Sequence, residues 1–128
     1  MFPRTSHDSP LVLLIEEDWR TRRFIATELK YALQARVIEL SSACEAPAPL
    51  RALDRSIDLL IVDAAEYDLA RELAAGNPGC KVLLISSATC PPRGLPAAWQ
   101  FLSIPFTTAA LLEFAGAAES LCAAHGQS

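Results

Sequence analysis

Residues 57–63 read Ile-Asp-Leu-Leu-Ile-Val-Asp, and residues 11–18 read Leu-Val-Leu-Leu-Ile-Glu-Glu-Asp. Each is a short apolar run, rich in branched side chains, that stops abruptly at carboxylates. Runs this short and this uniformly apolar predict strands buried on both faces rather than fragments of helix. The stretch 81–87, Lys-Val-Leu-Leu-Ile-Ser-Ser, repeats the pattern and ends in hydroxyls. Arg36–Leu40 and Gln100–Ser103 are two further strand candidates, shorter and more mixed.

Between the strands the period changes. Ile25, Leu29 and Leu33 recur every four residues within Trp19–Gln34, the spacing of an amphipathic helix, and Asp18 is placed to cap it. Pro47 and Pro49 suit the first turn of a short helix that continues through Leu50–Leu53. Tyr67–Ala75 reads as helix and is closed by Gly76-Asn77-Pro78-Gly79. Pro91, Pro92, Gly94 and Pro96 oppose a regular helix after the fourth strand. Thr107 can cap a last helix, near Thr108–Cys122, whose apolar stripe is Leu111, Leu112, Ala115, Ala118 and Leu121. Strands alternating with helices predict one parallel sheet covered on both faces, with the first, third and fourth strands central. Right-handed crossovers then bring every strand's C-terminal end to one edge, where function gathers.

The 128 residues suit one domain, with 1–10 as a loose leader, 11–123 as the domain and 124–128 as a tail. Hydrophobic residues make up 52% and charged residues 20%, with mean hydropathy +0.25, a composition that excludes a disordered chain. Eleven Lys and Arg against fifteen Asp and Glu give a net charge of −4, which argues against nucleic acid held through overall charge. The longest aliphatic run, Leu11–Ile15, is far short of the ~20 residues of a membrane helix. Cys44, Cys80, Cys90 and Cys122 form no C-x-x-C pair, and His7 and His125 lie near the termini, so a zinc site is not expected. Free thiols in a reducing cytoplasm are the expected state of the cysteines. No Gly-rich loop follows any strand, which leaves a flavodoxin-like enzyme or nucleotide binder without a phosphate cradle.

The sheet edge collects Glu16, Glu17 and Asp18 from the first strand, Asp63 from the third, Ser86 and Ser87 from the fourth, and Ile104-Pro105-Phe106 from the fifth. Carboxylates meeting there repel unless a cation joins them, and Mg²⁺ suits an all-oxygen cluster. An aspartate beside such a cation can take a phosphoryl group, with the Ser86 hydroxyl bonding the added oxygens. A plainer role for Asp63 is also written in the sequence, because Asp63-Ala64-Ala65-Glu66 has the spacing of a helix capping box. Arg20, Arg22 and Arg23 read as one solvated helix face, and Trp19, Phe24, Trp99 and Phe114 as fillers of core and surface gaps.

From Leu11 to Cys122 the chain resembles the receiver domain of two-component response regulators. The resemblance rests on Leu-Leu-Ile-Glu-Glu-Asp followed by Arg22, on Ile-Asp-Leu-Leu-Ile-Val-Asp, on Val-Leu-Leu-Ile-Ser-Ser-Ala and on Phe-Leu-Ser-Ile-Pro-Phe. It implies the flavodoxin-like five-stranded order 2-1-3-4-5, with helices on both faces and the fourth helix shortened; a receiver is itself a standard example of that order. It further implies Mg²⁺ on Glu16, Glu17 and Asp63, phosphoryl acceptance on Asp63, and a switch hydroxyl on Ser86. Phe101 is the aromatic expected to move with the switch; Pro105 most simply ends the strand, although receivers often hold this bond cis, and a cis Ile104–Pro105 bond is chemically accessible. The implied setting is phosphorelay signalling in a bacterial cytoplasm. A histidine kinase or phosphotransfer protein acts upstream there and a protein partner downstream, and the domain is a signalling module rather than an enzyme. The departures are equally definite. Ile104 stands where receivers carry a lysine, and Ala64-Ala65-Glu66-Tyr67-Asp68 lacks the usual Met-Pro and Asp-Gly signature. These departures point to a pseudo-receiver, a constitutive interaction module of the same fold, as the alternative function.

Overall fold

The structure is a computed structural model that describes residues 9–42, 57–88 and 90–115. Most of the expected leader, the helix expected over Pro47–Leu53, the end of the last helix, and Cys44 and Cys122 lie outside the described residues. The elements run β1 (Leu11–Ile15), α1 (Trp19–Leu33), β2 (Arg36–Leu40) and β3 (Leu59–Asp63). A short 3₁₀ turn (Ala64–Glu66), α2 (Tyr67–Gly76), β4 (Lys81–Ser86) and β5 (Gln100–Ser103) follow. The last helix, α3, covers residues 108–115 among those described. The five strands form one sheet in the order β2-β1-β3-β4-β5, every pairing parallel. The central trio is β1, β3 and β4, as uniform apolarity requires of strands covered on both sides.

Because successive side chains alternate across a strand, each central strand feeds two cores. Val12, Leu14, Leu59, Ile61, Leu83 and Ile85 face Ile25 and Leu29 of α1 and Leu111 and Phe114 of α3. Leu13, Ile15, Leu60, Val62, Val82 and Leu84 face the other way, against Ala70 and Leu73 of α2. A fully buried Leu or Ile contributes roughly 1.5–3 kcal/mol, so these two layers hold the sheet.

The helix ends are built as the sequence predicts. The Asp18 side chain accepts from the Arg20 N–H (3.3 Å) and from the Thr21 hydroxyl (2.8 Å). α1 ends at Leu33, one residue before the expected end, and Gln34 closes it in the left-handed conformation (φ +53°). Thr107 Oγ1 accepts from the Ala110 N–H at 3.0 Å and opens α3.

Two expectations shift. The third strand begins at Leu59 rather than Ile57, because Ile57 donates its N–H to Asn77 Oδ1 (3.1 Å) and Asp58 Oδ2 takes the Leu11 N–H (2.8 Å). Shortening of the fourth helix goes to completion among the described residues between Ser86 and Gln100, which hold only turns. The proline-rich stretch instead forms a strap that lays Leu95 and Trp99 on the second core.

Candidate functional site

The C-terminal ends of β1 and β3, neighbours at the centre of the sheet, deliver Glu16 and Asp63 to one edge. A cleft of about 120 Å³ opens between them, walled by Glu16, Glu17, Asp63 and Glu66 together with Ser41 and Ser42. The strand order reverses at this point, between β1 and β3, which is where ligands of open α/β sheets bind.

The carboxylates differ in their surroundings. Glu16 is only 5% exposed. Its Oε2 accepts from the Asp18 N–H at 2.9 Å, while its buried Oε1 has no hydrogen-bond partner. Burial, joined by the Asp63 and Asp18 charges and opposed by the Asp18 N–H, raises the Glu16 pKa above its ordinary value. Glu17 is exposed, and Asp63 is half-buried. Asp63 Oδ1 accepts from the Ala65 N–H at 2.8 Å, so the capping role legible in the sequence is realised on the 3₁₀ turn.

Glu16, Glu17 and Asp63, the residues expected to share a cation, wall this cleft together. Among the described residues no three His, Cys, Asp or Glu side chains form a group able to hold a metal ion. One oxygen of each carboxylate is engaged locally, Glu16 Oε2 by the Asp18 N–H and Asp63 Oδ1 by the Ala65 N–H. The orphaned Glu16 Oε1 is the atom a cation entering the cleft would satisfy first.

Ser86 lies one residue beyond Ile85, the partner of Asp63 across the β3–β4 ladder. Its hydroxyl oxygen accepts from the Ala88 N–H (3.0 Å), and Ser103 Oγ donates to the Ala88 carbonyl (2.9 Å). Phe101 pairs with Leu84 and packs on the second core. Ile104 donates its N–H to the Ser86 carbonyl (2.7 Å) and is followed by a cis bond to Pro105. The Ile104 side chain packs on the first core, in an apolar hollow of about 230 Å³ that it shares with Phe24, Pro105 and Phe106. The residue in the family's lysine position is thus part of the hydrophobic layer beside α1 and does not line the acidic cleft.

Two roles were missed by sequence reasoning. Arg22 is not on a solvated face. Its guanidinium donates to the Glu16 carbonyl (2.7 Å) and the Glu17 carbonyl (3.4 Å) and pairs with Glu39 of β2 (3.9 Å). It fixes the β1–α1 turn from which both glutamates project. The second is Tyr67, whose ring meets Trp99 at 5.6 Å and whose hydroxyl donates to the Gly94 carbonyl at 3.1 Å. Arg22 carried a signal, since it follows the acidic run in the stretch that resembles a receiver; Tyr67 carried none.

No family model matches the chain, and no curated protein matches it. Solved structures do. A response regulator from Thermotoga maritima is 25% identical, with a TM-score of 0.72 over 88% of this chain and 98% of that one. A CheY-like receiver domain protein from Methanospirillum hungatei is 15% identical, with a TM-score of 0.76 over 91% and 98%. The chemotaxis response regulator CheY4 of Vibrio cholerae is 17% identical, with a TM-score of 0.72 over 86% and 98%. By fold, the chain is a receiver-type domain of the CheY-like, flavodoxin-like architecture. Among the described residues no helix is long and apolar enough to cross a membrane.

Proposed function

We propose that this domain is a pseudo-receiver: a signalling module of receiver fold that docks partner proteins in one standing conformation. The observation that carries the proposal is Ile104. Its side chain belongs to the apolar hollow beside α1, and among the described residues the cleft that contains Asp63 is walled by carboxylates and small residues without a lysine or arginine. An incoming phosphoryl group would meet the Glu16, Glu17 and Glu66 charges there, with no lysine or arginine among the described lining residues to offset them. A charge-assisted hydrogen bond contributes about 1.5–3 kcal/mol, and a phosphoryl group can shift two states only through contacts that differ between them.

Docking through protein contact is supported by α1. Trp19 (62% exposed), Phe24 (38%) and Tyr31 (88%) are the exposed large hydrophobics among the described residues, and all three lie on that helix. Three large apolar side chains left exposed on one helix offer a partner anchoring points there. The partners that fit a receiver-type module are a histidine kinase or phosphotransfer protein on one side and a downstream protein on the other, in the cytoplasm.

Phosphoryl acceptance on Asp63 is the second reading, favoured by its place at the end of β3, half-buried beside Glu16. Intact mass after incubation with Mg²⁺ and acetyl phosphate separates the two. The expected result is no phosphoryl adduct on the wild type under conditions that label a control receiver. A single adduct that disappears in Asp63→Asn establishes the second reading instead.

A further inference from the structure

Asp63 holds a turn, and the residue that follows the turn holds the strap. The Asp63 carboxylate caps Ala64–Glu66 through the Ala65 N–H at 2.8 Å, and the Tyr67 N–H closes that turn on the Ala64 carbonyl. Tyr67 then opens α2 with its side chain turned to the strap. Its hydroxyl donates to the Gly94 carbonyl at 3.1 Å, and its ring lies 5.6 Å from Trp99, tilted 55°. Arg71, one helical turn on, sits 6.0 Å from the other partner of this stack, the Tyr67 ring. The strap is shaped to meet it. Gly94 has φ +74°, a left-handed conformation that side chains resist, and the Trp99 N–H closes a turn on the Pro96 carbonyl (3.0 Å). Leu95 and Trp99 pack with Tyr67 on the core that a fourth helix would otherwise cover.

From these contacts we infer that Asp63 serves as the cap that aims Tyr67, and that Tyr67 clamps the β4–β5 strap, so the hydrogen-bonding state of Asp63 is transmitted to residues 93–99. The path is physical and short: one carboxylate, one three-residue turn, one aromatic side chain. It uses neither the Ser86 hydroxyl nor a lysine at 104. A three-residue 3₁₀ turn has poor hydrogen-bond geometry and depends on its cap. With the cap removed the turn frays, Tyr67 loses its aim, and the strap opens. Tyr67 is thus a positioning residue, and the clamp accounts for a surface that stands in one conformation. The inference does not require that Asp63 be phosphorylated or left unmodified, and its test uses no phosphoryl donor, so it can fail independently of the proposed function.

The experiment is residue-resolved amide hydrogen exchange on the full chain, joined to Trp99 emission in a Trp19→Phe background. Asp63→Ala and Tyr67→Phe should each speed exchange at Leu95–Trp99 by about fivefold, the size of one lost cap or neutral hydrogen bond. Exchange in β1 and β3 should stay unchanged. Asp63→Asn, whose side-chain oxygen still caps, should remain within about twofold of wild type. The double variant Asp63→Ala/Tyr67→Phe should open the strap no further than the larger single change, the non-additivity of residues acting in series. Unchanged strap exchange in Asp63→Ala overturns the inference. So do two effects that multiply, an increase spread equally over all strands, or an Asp63→Asn variant that opens the strap as far as Asp63→Ala.

Discussion

Replacing Glu16 with glutamine should stabilise the domain at neutral pH, although it removes a charge from the best-defined polar edge of the sheet. Glu16 is 5% exposed, with one carboxylate oxygen bonded to the Asp18 N–H and the other buried without a partner. Glutamine keeps an oxygen for the Asp18 N–H and places an amide where the orphaned oxygen lay. That amide can donate toward Asp63, whose charge now opposes ionised Glu16. A buried unsatisfied polar group costs about 1–3 kcal/mol, and since only one of the two oxygens is orphaned the gain belongs in the lower half, about 1–2 kcal/mol. The sign of the pH dependence follows from the raised pKa. Folding opposes ionisation of Glu16, so its contribution is fully present below the ordinary value of 4.5 and is lost as pH rises through the folded value. The advantage of Glu16→Gln should therefore be present at pH 7.5 and vanish at about pH 4, when both chains are neutral at this position. Urea unfolding at the two pH values measures it, as a shift in midpoint at constant slope. A destabilised variant at pH 7.5, or the same increment at both pH values, would refute the reasoning.

Since Glu16 and Asp63 each commit one oxygen to a backbone N–H, millimolar Mg²⁺ should leave the thermal midpoint within about 1 °C, by the linkage between ligand binding and stability. A larger rise that Glu16→Gln abolishes would instead establish the shared cation. Ile104→Lys should cost about 1 kcal/mol in urea unfolding, since Ile104 is half-buried in an apolar hollow and the lysine stem can cover only part of it. A stabilised variant would show that the side chain does not lie against Phe24 and Phe106. Burial, with the Asp58 charge added, pushes the Cys80 thiol up to about 12. Its alkylation at pH 8 should accordingly follow global unfolding, and rapid labelling in native buffer would contradict that placement.

The architecture is written in the period and punctuation of the sequence. Leu11–Ile15, Leu59–Val62 and Val82–Ile85 are apolar at every position, which only a strand covered on both faces can bury. The caps at Asp18 and Thr107 were legible because capping is local, a matter of one side chain and a backbone N–H two or three residues on. The same locality made the Asp63 cap visible in Asp63-Ala64-Ala65-Glu66. The sequence also placed Glu16, Glu17 and Asp63 at one edge, because topology alone brings the ends of parallel strands together.

Tertiary structure decided what those residues do there. How the carboxylates from β1 and β3 are engaged depends on where each finds its nearest donor, and here both find it in the following turn. Helical spacing alone puts Arg22 on a solvated face, because its partners, the Glu16 carbonyl and Glu39, lie on the turn before it and on a strand after it. The strap was readable only as a stretch hostile to helix. That Tyr67 and Trp99, far apart in sequence, meet over the uncovered core depends on the crossover from β3 through α2 to β4 and β5. Periodicity records which face of an element is apolar; it does not record which side chain from another element will arrive there.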